Sequence, residues 1–269
     1  MNKSLTIPFV KAHGNGNDAI IFIKENCPSI IEDANFIKEV CKRKTGIDSD
    51  CIIVLSNVSN YDFKMDYYNS DGSWETFCAN GARCAVQYLY QKNLIASRTQ
   101  FLAGDGIHEA KIEKHKISLK IKSPQFISKK LKVKNYERYL VDSGAIHFCI
   151  RVNNLEEIKD IEALGKNIRY SKEFMPKGVN VNFFEIINTD LIKVFTYEKG
   201  VEEMMLSCGS GSVASAFICS ELIKIKDKIN IINPGGKLMV SFNKEWSNVW
   251  LKGESEILFE SELNINQYK

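Results

Sequence analysis

Two cysteines, Cys78 and Cys208, lie 130 positions apart, and each opens a glycine-containing turn that leads into a helix-forming stretch. The first stretch reads Cys-Ala-Asn-Gly-Ala-Arg-Cys over residues 78–84, and the second reads Cys-Gly-Ser-Gly-Ser-Val-Ala over residues 208–214. A thiolate can remove a proton from carbon and a thiol can return one. Two thiols on opposite faces of one carbon would invert it, which indicates a racemase or epimerase that needs no cofactor.

The position of both cysteines just before a helix start favours this chemistry. Unpaired backbone N–H groups and the helix dipole favour negative charge at that end of a helix. The same placement is expected to lower the pKa of a thiol from its ordinary value near 8.5. Small residues after each cysteine let backbone N–H groups approach a substrate carboxylate.

Three further pairs of segments indicate that the chain is an internal duplication. Residues 64–69 match residues 193–198 at an offset of 129, and residues 14–17 match residues 144–147 at an offset of 130. The glycine turn at residues 104–106 matches that at residues 234–236. One long repeat of this kind predicts two similar lobes and not a solenoid.

Composition narrows the class of protein. With 44% hydrophobic and 26% charged residues the chain is typical of a globular protein. A net charge of +3 and the absence of a long basic run argue against a nucleic-acid partner. No apolar stretch is long enough for a membrane span, and we expect a cytoplasmic protein. Its eight cysteines are expected to be free thiols, and no motif indicates a metal site.

The pattern of apolar residues predicts a mixed α/β fold in which the second half repeats the order of the first. Helices are expected over residues 33–43, after Cys78, over residues 155–164 and over residues 211–224. Strict strand–helix alternation is missing, which argues against a doubly wound nucleotide-binding sheet. No Gly-x-Gly-x-x-Gly motif opens a helix.

The duplication predicts the domain limits. The first lobe is expected over residues 1–130 and carries Cys78, and the second is expected over residues 131–257 and carries Cys208. The boundary is placed in the Lys-rich stretch 128–136. Residues from about 258 to 269 are expected to return to the first lobe.

The ordered motifs resemble the diaminopimelate epimerase family. The resemblance runs from about residue 8 to residue 260. It is carried by six segments: residues 11–18 (Lys-Ala-His-Gly-Asn-Gly-Asn-Asp), 69–84 with the first cysteine turn, 178–183 (Gly-Val-Asn-Val-Asn-Phe), 197–201 (Tyr-Glu-Lys-Gly-Val), 208–211 with the second cysteine turn, and 234–240.

This resemblance implies two pseudo-symmetric lobes, each a curved and mostly antiparallel sheet around a central helix, with the active site between them. It implies interconversion of L,L- and meso-diaminopimelate for lysine and peptidoglycan synthesis, by a homodimer without metal, pyridoxal phosphate or other cofactor. By the family's motifs, the acid/base residues are Cys78 and Cys208, and the residues that orient or activate the thiols are His147 and Glu198. The implied substrate-binding residues are Asn17, Asn69, Ala79, Asn80, Asn180, Lys199, Gly209 and Ser210.

The chain departs from the family's pattern at the end of the site that grips the distal part of the substrate. Lys199 stands where the family usually has Arg, which keeps the charge but loses the planar two-pronged grip. Ala145 and Ile146 replace an Asn-Pro pair, and Trp74 replaces an acidic residue. A related epimerase that acts on another amino acid is therefore the alternative.

A second alternative belongs to a different class of protein. Accessible thiols with a low pKa are also the thiols that oxidise, so the pair could form a redox switch in a sensor or binding protein. Such a switch would not need carboxylate-binding turns and would show no exchange of a Cα proton.

Overall fold

The computed structural model describes residues 5–133, 136–225 and 227–268. The chain folds as two compact units, one formed by residues 1–119 with 254–269 and the other by residues 120–253. The lobe limits of 1–130 and 131–257 stay a prediction, and residues 134 and 135 of the predicted boundary lie outside the described residues.

The first unit consists of nine strands and two α-helices among its described residues. The strands are β1 (Thr6–Gly14), β2 (Asn17–Ile23), β3 (Cys51–Ser56), β4 (Phe63–Asn69), β5 (Trp74–Glu75), β6 (Arg98–Ala103), β7 (Gly106–Glu113), β8 (Lys116–Ile121) and, from the end of the chain, β18 (Glu256–Asn264). The helices are α1 (Ala34–Cys41) and α2 (Ala79–Gln91).

Hydrogen bonding arranges the long strands of this unit in the order β18-β1-β2-β3-β4-β6-β7-β8, and β5 pairs with β4. The pairs β2–β3 and β4–β6 are parallel, and the others are antiparallel. Helix α2 packs against β1, β2, β3, β4 and β18, so the sheet wraps around it. The apolar core on the α1 side includes Phe22, Phe36 and Ile52, all almost fully buried.

The second unit repeats this composition. Its strands are β9 (Gln125–Val133), β10 (Tyr136–Asp142), β11 (Ile146–Val152), β12 (Asn180–Ile186), β13 (Leu191–Tyr197), β14 (Met204–Met205), β15 (Lys228–Asn233), β16 (Gly236–Phe242) and β17 (Val249–Glu254). Its helices are α3 (Ile161–Arg169) and α4 (Gly209–Ile223).

The strand order of the second unit is β9-β10-β11-β12-β13-β15-β16-β17, with β14 paired to β13. The parallel pairs are β11–β12 and β13–β15, which occupy the same places as the parallel pairs of the first unit. The place of β9 is taken in the first unit by β18, which comes from the opposite end of the chain. The predicted mixed α/β fold with two repeated lobes is confirmed.

One predicted helix is misplaced. Residues 155–164 were expected to form a single helix, but the structure has a short 3-10 turn at Leu155–Glu157 and then α3 at Ile161–Arg169. Two capping residues explain the division. The Asn154 side chain accepts a hydrogen bond from the backbone N–H of Glu156, and the Asp160 side chain accepts one from that of Ala163, so each segment has its own start.

A glycine in the first turn of each central helix lets that helix approach the strand beneath it. A Cβ atom at Gly81 would lie 2.5 Å from Cδ1 of Ile53, and one at Gly211 would lie 2.3 Å from Nδ2 of Asn182. Both distances are too short for real contacts, so a larger residue at either position would make its neighbour shift. The glycines that the sequence places three residues after each cysteine therefore fit the close packing of helix on sheet.

The described residues include neither a membrane-spanning helix nor a cluster of metal-binding side chains. None of their helices is long and apolar enough to cross a membrane. No group of three or more His, Cys, Asp or Glu side chains in the described ranges is arranged to hold a metal ion.

Candidate active site

The first cysteine turn places Cys78 as the N-cap residue of α2. Its backbone is extended, with φ −131° and ψ 115°, and its carbonyl accepts the first helical hydrogen bond from Ala82 at 2.8 Å. The backbone N–H of Gly81 donates to the Cys78 sulfur at 3.5 Å. Cys78 is partly exposed. Backbone N–H groups at a helix start are suited to stabilise a thiolate.

Asn17, at the start of β2, is brought next to this thiol. Its Oδ1 atom lies 3.8 Å from Sγ of Cys78, and its Nδ2 donates to Oδ2 of Asp50 at 2.8 Å. The same carboxylate accepts from the backbone N–H of Asp18 at 3.1 Å. Burial raises the pKa of Asp50, and the neighbouring charge of Asp18 raises it further. Asp50 thus fixes the amide so that its oxygen faces the thiol.

Asn80 lies in the first turn of α2 and is bound to a buried arginine. Its Oδ1 accepts from Nη2 of Arg83 at 2.7 Å, and the same nitrogen donates to Oδ1 of Asn15 at 3.0 Å. Nη1 of Arg83 also donates to the carbonyl of Ala79 at 3.4 Å. Arg83 is fully buried, and burial lowers its pKa. The guanidinium therefore holds the loop at Asn15 against the start of α2.

Asn69 occupies the end of β4, where the chain turns toward β5. The Tyr67 hydroxyl donates to its Oδ1 at 2.7 Å, and its Nδ2 donates to the Ser73 hydroxyl at 3.1 Å. Both ends of the amide thus have partners, one on β4 and one in the turn. Asn69 belongs to the same unit as Cys78 and Asn17.

The second cysteine turn places Cys208 as the N-cap residue of α4. Its backbone, with φ −124° and ψ 114°, is almost the same as that of Cys78. Cys208 is nevertheless only 6% exposed, and its sulfur lies 3.6 Å from the hydroxyl oxygen of Ser210. The two repeats thus present their thiols in the same backbone geometry but with different accessibility.

Burial raises the pKa of the Cys208 thiol well above its usual range, and the charge of Glu198 raises it further. A hydrogen bond from the Gly211 backbone, and one from the Ser210 hydroxyl when its proton faces the sulfur, act in the opposite direction and are smaller. The expectation of a depressed pKa is therefore wrong for Cys208. The cost of removing water from a buried thiolate outweighs the stabilisation that the helix N-terminus gives to its charge.

His147 reaches Cys208 through Ser210. Its Nε2 atom lies 2.9 Å from Oγ of Ser210, and its Nδ1 atom lies 2.6 Å from Oδ1 of Asn182. Nδ2 of Asn182 in turn donates to Oγ1 of Thr196 at 2.7 Å. Burial lowers the pKa of His147 to about 4, so the imidazole is neutral at neutral pH. The sulfur of Cys208 therefore stands at the end of a chain of four hydrogen-bonded side chains.

The remaining predicted residues of this unit lie on β12 and in the loop after β13. Asn180 stands opposite His147 in the parallel pairing of β11 and β12, and its Oδ1 accepts from the backbone N–H of Lys199 at 2.9 Å. Glu198 is close enough to Cys208 to influence its pKa. The side chain of Lys199 is exposed.

The backbone at the start of α4 is tied to the neighbouring loop. Gly209 is buried, and the carbonyl of Ser210 accepts from the Ser143 hydroxyl at 2.8 Å. Ala79 takes the matching place of Gly209 in the first unit and is partly exposed. Each helix start thus presents small residues beside its cysteine.

Several residues of these arrangements were missed by the sequence analysis: Asp50, Arg83, Asn182, Thr196 and the hydroxyl of Ser210. Asn182 could have been identified from its spacing in the sequence. Asn182 is two residues after Asn180 on a strand, and residues at that spacing share a face of the sheet. The role of Arg83 could not be read, because its partners lie in a distant turn.

The fold of the chain is shared by solved structures of an epimerase and of a phenazine biosynthesis protein. Solved structures with the same fold include a hydroxyproline epimerase from Agrobacterium vitis, with a TM-score of 0.75 over 98% of this chain and 94% of that structure, at 12% sequence identity. They also include a Bacillus anthracis phenazine biosynthesis protein of the PhzF family, with a TM-score of 0.74 over 96% of this chain and 99% of that structure, at 14% identity. At these identities the likeness concerns the fold alone.

The sequence then gives the particular family. Residues 9–127 and 139–258 each match the family model of diaminopimelate epimerase. A diaminopimelate epimerase of Flavobacterium psychrophilum is 38% identical over 93% of this chain and 98% of its own length. One from Aquifex aeolicus is 32% identical over 95% of this chain and 97% of its own length. The chain belongs to the diaminopimelate epimerase family and is an isomerase, which confirms the resemblance seen in the motifs.

Proposed function

We propose that the chain interconverts L,L- and meso-diaminopimelate by proton transfer at Cα, with Cys78 and Cys208 as the acid/base pair and no cofactor. One observation carries the proposal. Each repeat has a cysteine as the N-cap of its central helix, and each cysteine is linked to the residue at the same place in the repeat, which is Asn17 in one unit and His147 in the other.

In the proposed reaction one thiolate removes the Cα proton from one face of the substrate, and the other thiol donates its proton to the opposite face. The first sulfur becomes a thiol and the second becomes a thiolate, so protons and charge balance over the turnover. General acid–base catalysis of this kind contributes typically about 10²–10⁴-fold. The reverse reaction uses the same pair with exchanged roles.

The negative charge that develops on the substrate carboxylate needs electrostatic support, because an amino-acid Cα–H is a very weak acid. The starts of α2 and α4 supply backbone N–H groups for this purpose, from the turns at Ala79 and Asn80 and at Gly209 and Ser210. Fixed donors that are aimed at developing charge are commonly the largest contribution to catalysis.

The proposal assigns different resting states to the two repeats. The raised pKa keeps Cys208 protonated, so Cys208 is the proton donor in a turnover that starts from the resting enzyme. Cys78 is then the base of that turnover, supported by the Gly81 N–H. His147 acts on Cys208 through Ser210, and Glu198 acts by its charge.

Diaminopimelate is the proposed substrate because the relatives at 32–38% identity carry that name. Asn17, Asn69 and Asn180 are the proposed side-chain amides for binding, and Lys199 is the proposed cation for the distal carboxylate. The pathway that this reaction serves is lysine biosynthesis.

A second candidate function is epimerisation of a different amino acid. It is favoured by Lys199, Ala145 and Ile146, which depart from the family's pattern, and by the hydroxyproline epimerase among the structures of the same fold. The reaction class is the same in both cases.

The substrate is tested with reduced protein and chiral chromatography. Diaminopimelate, proline, 4-hydroxyproline, lysine and glutamate are incubated separately at equal concentration, and the stereoisomers are measured over time. Formation of meso from L,L-diaminopimelate, with the other four inert, supports the proposal. An inert diaminopimelate beside a second amino acid that is converted would replace the substrate and keep the reaction class.

We also infer that the enzyme works in the cytoplasm as a homodimer. The first inference rests on eight free cysteines, which a reducing compartment preserves. The second rests on the resemblance to the family. Light scattering on the reduced protein tests the dimer: a mass near 30.6 kDa would contradict it.

A further inference from the structure

We propose that Asn182 is a positioning residue that fixes neutral His147 as its Nδ1–H tautomer, and thereby makes the Ser210 hydroxyl a hydrogen-bond acceptor toward the Cys208 thiol. This inference rests on the proposed function, in which Cys208 exchanges a proton with the substrate. Neither Asn182 nor Thr196 is among the residues that the family's motifs assign to the site.

The orientation of the Asn182 amide comes first. Its Nδ2 donates to Oγ1 of Thr196 at 2.7 Å, which leaves Oδ1 to face Nδ1 of His147 at 2.6 Å. Gly211 leaves no room above this amide, since a Cβ there would lie 2.3 Å from Nδ2. Asn182 and His147 are both fully buried. The side chain is therefore confined in place, with Oδ1 toward the imidazole and Nδ2 toward Thr196.

The tautomer of His147 follows from this orientation. An amide oxygen can only accept, so Nδ1 must carry the proton. The buried ring is neutral, and a neutral imidazole has one protonated nitrogen, so Nε2 is an acceptor. The only proton that can occupy the contact of 2.9 Å between Nε2 and Oγ is then the Ser210 hydroxyl proton.

The direction of the last contact is fixed in the same way. With its proton turned to His147, Ser210 presents only lone pairs to the sulfur of Cys208 at 3.6 Å. This arrangement accepts a hydrogen bond from a thiol but cannot donate one to a thiolate. The chain thus stabilises Cys208 in the form that donates a proton.

The first repeat lacks this chain of hydrogen-bonded side chains. The strand pairing places Ala19 opposite Cys51 and Cys149 opposite Asn182, so Cys51 occupies the place of Asn182. The sulfur of Cys51 bonds to the Asp18 carbonyl. The polar chain beneath the helix start is therefore a feature of the second repeat, and it matches the different resting state proposed for Cys208.

Two magnetic-resonance measurements test the inference without needing enzymatic activity. The ¹⁵N shifts of His147 report its tautomer, and the ¹³Cβ shift of Cys208 followed against pH reports its thiol–thiolate equilibrium. The signals are assigned by the loss of each in H147Q and C208S. Wild-type protein is expected to show protonated Nδ1 and bare Nε2 at neutral pH. Protonated Nε2 in the wild type would overturn the inference.

Substitutions at the two positioning residues provide the second test. Thr196→Val removes the acceptor that holds the amide, while Thr196→Ser keeps it. Asn182→Leu removes the acceptor for Nδ1–H. T196V and N182L are expected to populate the Nε2–H tautomer and to lower the Cys208 titration midpoint by roughly one pH unit, the size of one hydrogen bond to a charged group. T196S is expected to keep the wild-type tautomer.

The charged groups near these side chains are Glu198, which acts on Cys208 by its charge and by a hydrogen bond, and Asp142, which acts on His147 by its charge. Both stay unchanged in T196V, T196S and N182L. Thr99→Val is the matched control, because it removes a buried threonine hydroxyl in the other unit. Unchanged tautomer and titration in T196V, or equal shifts in T99V, would overturn the inference. Failure of the proposed function appears separately, as wild-type protein with the expected spectra and no epimerisation.

Discussion

The amide oxygen of Asn17 lies 3.8 Å from the sulfur of Cys78, in direct contact with the thiol. Its repeat mate His147 reaches Cys208 through the hydroxyl of Ser210. In each repeat a residue at the same place, on β2 or on β11, is thus linked to the cysteine. The link is a direct contact in the first repeat and passes through a serine hydroxyl in the second. This difference is the structural basis for assigning unlike resting states to two thiols that share the same backbone geometry.

Each proposed acid/base cysteine should be essential. Serine in place of Cys78 or Cys208 is expected to lower kcat at least about 10²-fold, because a hydroxyl is a far weaker acid than a thiol. The measurement is the initial rate of epimerisation in both directions. Cys27→Ser is the control, since Cys27 is a partly buried thiol of the first unit away from the helix start. Activity of C78S close to that of C27S would exclude Cys78 from proton transfer.

Acid should destabilise the protein through His147. Burial lowers its native pKa to about 4, below the unfolded value near 6.5, so the unfolded chain binds a proton that the native protein does not. The stabilisation is complete above about pH 6.5 and is lost toward pH 4, by about 1.4 kcal/mol per pH unit. Urea unfolding at several pH values should show a shallower loss in His147→Gln than in the wild type.

The control for this slope is His115→Gln, because His115 is exposed. Its unfolding curve should follow the wild type at every pH. If H147Q and H115Q lose stability equally between pH 6.5 and 4, the depressed pKa of His147 is refuted.

The buried guanidinium of Arg83 should be difficult to replace. Lysine has one nitrogen in place of the planar fork that bonds to Asn15, Asn80 and the Ala79 carbonyl. Arg83→Lys is expected to lower the free energy of unfolding by about 2 kcal/mol, since at least one buried acceptor loses its donor. Denaturant unfolding checks this against Arg98→Lys, a change at an exposed arginine of β6. Equal stability of the two variants would contradict the role of Arg83.

Lys199 should influence substrate binding more than proton transfer. Lys199→Arg restores the planar fork and is expected to lower KM for diaminopimelate, while Lys199→Ala raises it about tenfold, with kcat changed little in both. Steady-state kinetics separate the two constants. Lys166→Ala removes an exposed lysine of α3 in the same unit and should leave KM unchanged. A kcat that falls while KM stays constant would place Lys199 outside the binding site.

The sequence was informative where function depends on local turns. The extended cysteine before a helix and the glycine three residues later form one continuous motif, and the duplication appears as a constant offset. Those features predicted the two repeats and the position of both thiols as helix N-caps. The apolar pattern was less reliable for predicting the helix over residues 155–164. Two capping side chains divide this segment although its apolar pattern looks continuous.

Long-range contacts explain what could not be predicted. Asp50 and Asn17 are joined by the parallel pairing of β2 and β3, and His147 and Asn182 by that of β11 and β12. The raised pKa of Cys208 depends on burial, which no local motif encodes. Sequence alone therefore predicted the two cysteines at the helix starts and only part of the environment around them.

Two different groups are proposed to transfer the proton, and solvent exchange tests this most directly. Reduced protein in D2O is given L,L-diaminopimelate, and early turnover is followed by mass spectrometry of the separated stereoisomers. We expect one deuterium at the inverted Cα of the meso product, while recovered L,L substrate stays protonated, because one thiol removes the proton and the other supplies deuterium. Equal deuterium in recovered substrate and product, or formation of a product that keeps the original proton, would show a single base and contradict the two-thiol mechanism.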